Sequence, residues 1–206
     1  MGGFPKHLFA EPEPDPNTLA NLGPLARMAG LWEGEKGHDI KPTEDGGASQ
    51  SYVETIELVP IDPQMNGPQL LYGLRYHTQI TKPGEVEMYH DQVGYWLWEP
   101  ATRHIFHSLT IPRGQVALAK GKAKSGADTF SVKAKEEDIV SAPFLAENFR
   151  TTGFKMTVMI HDEDHWSYDQ TTKLKIKGVK KGFDHRDRNS LRRIGAARPN
   201  PLAQVE

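Results

Sequence analysis

The sequence predicts an all-β chain folded as a single antiparallel barrel with a short helix at its N-terminal end. From Ser51 to about Gly178 it runs as short alternating segments broken by tight turns, with no long helix between them. Short strands at this spacing favour an antiparallel barrel or sandwich over a parallel α/β sheet. Neither face of the expected strands is uniformly polar. A plain sandwich would keep one face polar, whereas a barrel with a partly polar cavity accommodates both.

The 206 residues suffice for one domain with a sizeable core. Residues 1–20 read as an extended arm, rich in proline and acid at Glu11-Pro-Glu-Pro-Asp-Pro16. Residues 21–195 read as the barrel and 196–206 as a loose tail. Asn17 or Asn21 is placed to cap a helix through Leu25 and Met28 that ends at Gly30. Gly30-Leu-Trp32 then opens the first strand, and a Gly-x-Trp here resembles the start of small ligand-holding barrels of the lipocalin type. Gly46 to Ser51 reads as a loop, and Tyr52 to Val59 as a strand followed by a loop from Pro60 to Pro68. Gln69–Thr81 and Glu85–Trp98 form a hairpin about Lys82-Pro83-Gly84. Arg103–Ile111, Gln115–Lys120, Thr129–Ala134, Asn148–Ile160 and His165–Lys177 complete the strands. Ile139–Glu147 reads as a helical turn or loop. Lys173 to Gly182, where lysine alternates with apolar residues, reads as an edge or outer strand.

Bulk composition excludes more than it assigns. The net charge of −2 leaves no global footprint for nucleic acid or a membrane surface. The absence of cysteine excludes disulfides and thiolate metal sites and suits a reducing compartment, so the expected location is cytoplasmic. No basic segment followed by an apolar run appears near the start, and Met1-Gly2 lacks the Ser or Thr at position six that myristoylation needs. The expected partner is a small-molecule ligand, with no nucleic acid and no membrane, and a homodimer is the assembly considered.

A four-residue turn at Lys82–Glu85 would set His77 opposite His90 and Arg75 opposite Gln92. The next hairpin would set Trp98 opposite Arg103 and Gly94 opposite His107. One face would then carry Arg75, His77, His90, Trp96, His107 and Ile111, and a slip of one residue would exchange the faces. A His77/His90/His107 metal cluster lacks an evident carboxylate, so wall histidines are the preferred reading. No nucleophile motif and no phosphate-cradling glycine loop is present. The polar stretch Gly182–Arg193 reads either as a surface ion-pair network or as a segment presenting His185 to a cavity, oriented by a neighbouring carboxylate or carbonyl.

Gly30-Leu-Trp32-Glu-Gly34-Glu, His90-Asp-Gln-Val-Gly94-Tyr-Trp96 and Gly114-Gln-Val-Ala-Leu-Ala-Lys-Gly121 together resemble the nitrobindins over residues 25–195. That resemblance implies a barrel of about ten strands with a b-type haem near its mouth, one histidine from the C-terminal segment on the iron, and a ferric centre meeting nitric oxide or peroxynitrite. If haem is bound, the implied activity is peroxynitrite isomerisation. By position the metal ligand is His185, with Trp32, Arg75, His77, His90, Trp96, His107 and Ile111 around the cofactor; Met88 and Met159 are lesser candidates whose expected job is packing. The chain departs from the pattern at Phe183-Asp-His185-Arg-Asp187, where an apolar Pro-His-Leu is expected, and at Lys36, which displaces the glycine spacing. Two readings therefore stand. One is a haem pocket with added charges for the propionates. The other is a haem-free carrier or sensor of a small anionic or apolar ligand.

Overall fold

The computed structural model describes residues 3–204; Met1–Gly2 and Val205–Glu206, the ends of the expected arm and tail, lie outside them. Eleven strands follow a short N-terminal helix. They are β1 (Gly30–Thr43), β2 (Gly46–Asn66), β3 (Gln69–Thr81), β4 (Met88–Glu99), β5 (His104–Ile111), β6 (Gln115–Lys122), β7 (Thr129–Lys135), β8 (Ile139–Ser141), β9 (Phe149–Asp162), β10 (His165–Ile176) and β11 (Phe183–Gly195). The helices are α1 (Thr18–Asn21) and α2 (Pro143–Asn148). Each strand pairs antiparallel with its neighbours, and the β5–β6 ladder closes ten of them into a barrel. β8 is the additional strand. It pairs with the start of β6 over Gln115–Ala117, while β6 and β7 meet in register only further along, at Lys120↔Lys133. Closure removes the unpaired edges that an open sheet would expose.

One end of the barrel is plugged. Asn17 caps α1 by accepting the Ala20 N–H, and a 3-10 turn over Gly23–Met28 follows, so the single expected helix is two short pieces. Leu22, Leu25 and Met28 are fully buried beneath them, together with Trp32. Trp32 donates its indole N–H to the Met28 carbonyl at 2.8 Å and packs edge-on against Trp166, with centroids 5.9 Å apart. Arg193 closes the plug from outside. It stacks over Trp32 at 4.2 Å and donates to the carbonyls of Arg27, Ala29 and Glu163 and to Asp164. Gly30, at φ 131°, passes so near that a Cβ there would meet the Arg193 guanidinium at 2.6 Å. The plug is the structural meaning of the Gly30-x-Trp32 turn.

Four readings of the sequence change at the level of elements. Gly182–Arg193 contributes a full barrel strand, β11, paired with both β1 and β10. β10 is accordingly an interior member of the barrel wall rather than an edge. β2 runs on through Pro60 to Asn66, absorbing the prolines at a register break between Ile61 and Gln64. The tail is also docked: Asn200 is fully buried, accepting the Thr18 N–H and donating to the Pro16 carbonyl and to Asp62.

The β3–β4 register corrects one face assignment. Ile80 lies opposite His90 and Thr78 opposite Gln92, because the connection extends through Glu87 and pairing begins with a break at Thr81↔Met88. The displacement is an odd number of residues, so Arg75 and His77 exchange faces and point outward. Arg75 is exposed and His77 pairs with Asp91 on the outer surface at 3.1 Å. In the next hairpin Trp98 faces Ile105 and Gly94 faces Leu109, a shift of two that preserves the faces. Arg103 sits in the turn with φ 59°.

Candidate functional site

Opposite the plug the barrel opens into a cavity of about 460 Å³, within the range of small-molecule sites. Its floor is apolar and aromatic: Trp96, Phe154, Met156 and Trp166, with Ile56 and Leu58 alongside. Strand alternation brings each of these inward, two residues apart on its own strand.

Two buried polar clusters interrupt the wall. His107 is stacked on Trp96, with centroids 4.0 Å apart and planes 8° from parallel, and its Nε2 lies 2.9 Å from the Tyr76 hydroxyl. Gln92 donates to that hydroxyl at 2.8 Å, and the hydroxyl donates to the Ser108 carbonyl at 3.3 Å. This arrangement places the His107 proton on Nε2 and leaves Nδ1 buried without a partner. Burial pushes the His107 imidazole down to about 3, so it is neutral. Across the cavity, Glu54 is fully buried and accepts from Tyr168 at 2.8 Å and Asn189 at 3.0 Å, while the Tyr52 hydroxyl lies 2.8 Å from that of Tyr168. Burial, against the hydrogen bonds from Tyr168 and Asn189, pushes the Glu54 carboxyl up to about 7.

The third group lies nearer the mouth. His185 Nε2 is 2.8 Å from Asp39 Oδ1 and 3.5 Å from Asp187 Oδ1. Burial by itself would lower the imidazole, but the two facing carboxylates outweigh it and push it up to about 10. Register explains the meeting: Asp39 on β1 lies opposite Asp187 on β11, and His185 is two residues along the same face of β11. Gln170 on β10 holds the other Asp187 oxygen at 3.2 Å. His90 is beside the mouth, where its Nδ1 meets Arg113 at 3.0 Å, and burial followed by the Arg113 charge lowers it.

Of the residues singled out in the sequence, His90, Trp96, His107, Ile111 and His185 line the cavity. Trp32 is packed in the plug below the floor, and Arg75 and His77 are outside the barrel for the register reason given above. The His77/His90/His107 trio is dispersed among the outer surface, the mouth and the floor. Of the two methionines considered, Met88 is exposed and Met159 is absent from the lining. Asp39, Glu54, Tyr52 and Tyr168 join the site without a motif that marks them. Trp166-x-Tyr168 and Tyr52-x-Glu54 carry a period-two signal that could have placed the last three; Asp39 carries none, because β1 changes phase before it.

A closed antiparallel barrel with a plugged floor and an open, partly polar cavity defines the class of ligand-holding β-barrels. A family model described as "THAP4-like, heme-binding beta-barrel domain" matches residues 21–193. The chain belongs to that family of nitrobindin-like barrels. Among solved structures it is similar to the crystal structure of Rv2717c from M. tuberculosis, with a TM-score of 0.58 at 21% identity over 85% of this chain and 96% of that one. At that identity the likeness bears on the fold alone. No curated protein matches the sequence.

The family's group can be tested against these residues. The cavity's size and aromatic floor suit a flat apolar ring. The donor set does not suit an axial bond to haem iron. A ligating imidazole offers a neutral nitrogen to the metal and gives its other N–H to a carboxylate or carbonyl. Here Asp39 and Asp187 stand 2.8 and 3.5 Å from His185 Nε2, two carboxylates at one ring nitrogen, and raise its proton affinity.

Proposed function

We propose that the chain is a cavity-type holder of a small molecule that has a flat apolar body and at least one hydrogen-bonding group. The observation that carries this reading is the floor, where two polar atoms, His107 Nδ1 and Trp166 Nε1, are buried without partners among residues lining the cavity. Unpaired buried polar groups cost about 1–3 kcal/mol each, and a ligand that pairs with them recovers part of that cost. On this reading His185, Asp39 and Asp187 form a polar collar, and His90 with Arg113 forms a second polar contact at the rim.

The test is a thermal-shift and tryptophan-fluorescence screen with flat aromatic compounds bearing a hydrogen-bond donor, for His107 Nδ1, and an acceptor, for the Trp166 N–H. A binder raises the melting temperature by mass action and perturbs Trp96 and Trp166 emission. Ala117→Phe, which fills the cavity from β6, removes both responses. If no compound of this class shifts either signal, or if Ala117→Phe binds as well as the parent chain, the reading is wrong.

A second reading is favoured by family membership and by the cavity's size and apolar floor: b-type haem held through His185, with nitric oxide or peroxynitrite as the reactant. It requires Asp39 and Asp187 to withdraw from Nε2 and the imidazole to lose its proton. Its signature is a Soret band that depends on His185.

A further inference from the structure

Asp39 Oδ1, Asp187 Oδ1 and His185 Nε2 all lie within 4.8 Å of one another. The Asp39 side chain is only 7% exposed, and among the described residues neither its Oδ1 nor His185 Nε2 has a hydrogen-bond partner. These two atoms are 2.8 Å apart without the alignment that a hydrogen bond needs. Each is therefore a buried atom able to ligate a metal, with no hydrogen bond of its own.

The two separations from His185 lie close to what one ion would impose. Bonds of about 2.0–2.2 Å at tetrahedral or octahedral angles set adjacent donor atoms roughly 3.0–3.5 Å apart. His185 Nε2 lies 2.8 Å from one carboxylate oxygen and 3.5 Å from the other. The charge argues the same way, since two carboxylates face a single imidazole and a divalent cation would balance them with the imidazole neutral. The support around the donors is also in place: Gln170 donates to Asp187 Oδ2 and fixes which oxygen is presented.

We propose that Asp39, His185 and Asp187 form a site for one divalent transition-metal ion of the zinc class, with its remaining coordination positions open to the cavity. One imidazole with two carboxylates selects such an ion over magnesium or calcium, which prefer all-oxygen shells. Three protein ligands with an open position are the pattern of zinc sites that bind a water or a ligand, rather than of closed structural sites. The same donor set explains why an axial bond to haem iron fits poorly: a porphyrin would use one nitrogen and leave two carboxylates stranded beside it. The inference does not depend on which organic molecule occupies the floor.

The test uses the full chain stripped with a chelator. Calorimetric titration with Zn²⁺, absorption with Co²⁺ and a melt with and without metal are the three readouts. The expected result is one ion per chain, a Co²⁺ spectrum distinct from the hydrated ion, and a raised melting temperature. Asp39→Asn and His185→Gln should each weaken binding by about tenfold or more. The rings of His161 and His165, with centroids 4.6 Å apart on the surface, are the obvious place for adventitious zinc. The double variant His161→Ala/His165→Ala should keep the site. Binding that survives both Asp39→Asn and His185→Gln, or that disappears in the His161/His165 variant, overturns the proposal. If either site variant fails to fold, an unperturbed Co²⁺ spectrum in the parent chain overturns it independently. A cavity ligand that binds equally well without metal leaves the preceding reading standing.

Discussion

Among the described residues Glu54 has no cation beside it, and its compensation is the pair of hydrogen bonds from Tyr168 and Asn189. Its folded value of about 7 lies above the ordinary 4.5, so the folded chain holds the proton more tightly than the unfolded chain. The stability this gives is complete below about pH 4.5 and is lost as the pH rises through about 7. Glu54→Gln retains an oxygen to accept both hydrogen bonds without burying a charge. Denaturant titrations should find the variant more stable than the parent by about 3 kcal/mol at pH 8, and equal to it near pH 4. A constant difference across that range would show that Glu54 does not titrate in the window. At this scale the sequence was only partly legible. His185 could be singled out by its position. Asp39 could not, because β1 has a register break between Gly34 and Gly37, where two consecutive exposed residues, Glu35 and Lys36, reverse the inward phase. Trp32 and Gly34 face in on even numbers, Gly37 and Asp39 on odd ones.

The elements hold the site through close approaches that only glycine permits. A Cβ at Gly37 would lie 2.2 Å from the Tyr52 ring, and one at Gly34 would lie 2.4 Å from the Asn189 side chain. Gly37→Ala should therefore push Tyr52 off Tyr168 and destabilise the fold by roughly 1–3 kcal/mol, as overpacked cores do; a melting curve unchanged from the parent would contradict that packing. At the plugged end, Arg193→Met keeps much of the apolar stem over Trp32 but leaves the carbonyls of Arg27, Ala29 and Glu163 without their guanidinium donor. A loss of about 2–4 kcal/mol is expected in urea unfolding, and a loss below about 0.5 kcal/mol would show that water replaces it. Strand positions followed from turn residues and alternation for most of the barrel. β11 escaped because its inward residues His185, Asp187 and Asn189 are polar, so the apolar alternation that marks a half-buried strand is missing until Leu191. The same feature that hid the strand supplies the site.

At the scale of the whole molecule, the architecture was the most legible part, since closed barrels announce themselves through many short strands, tight turns and two mixed faces. The position of the plug was legible as well, from the apolar run entering Gly30-x-Trp32. What the interior holds is less so. It depends on register, and one odd slip in β3 moved Arg75 and His77 from the expected cavity to the outside. Among the described residues no helix is long and apolar enough to cross a membrane. Filling the cavity gives a prediction at this scale. Ala117→Phe should preserve or raise the melting temperature, since cavity-filling changes commonly add about 0.5–2 kcal/mol, while abolishing the response to cavity ligands. A marked loss of stability would mean the space is smaller than the cavity described.

The central claim is that Asp39 and Asp187, standing at His185 Nε2, keep that nitrogen from serving as an axial ligand to haem iron. The most direct test is the absorption spectrum of the purified chain with one equivalent of haem at pH 7, compared with that of His185→Ala. The account predicts the same spectrum for both proteins. A Soret band of histidine-ligated haem that is present in the parent chain and lost in His185→Ala would contradict it.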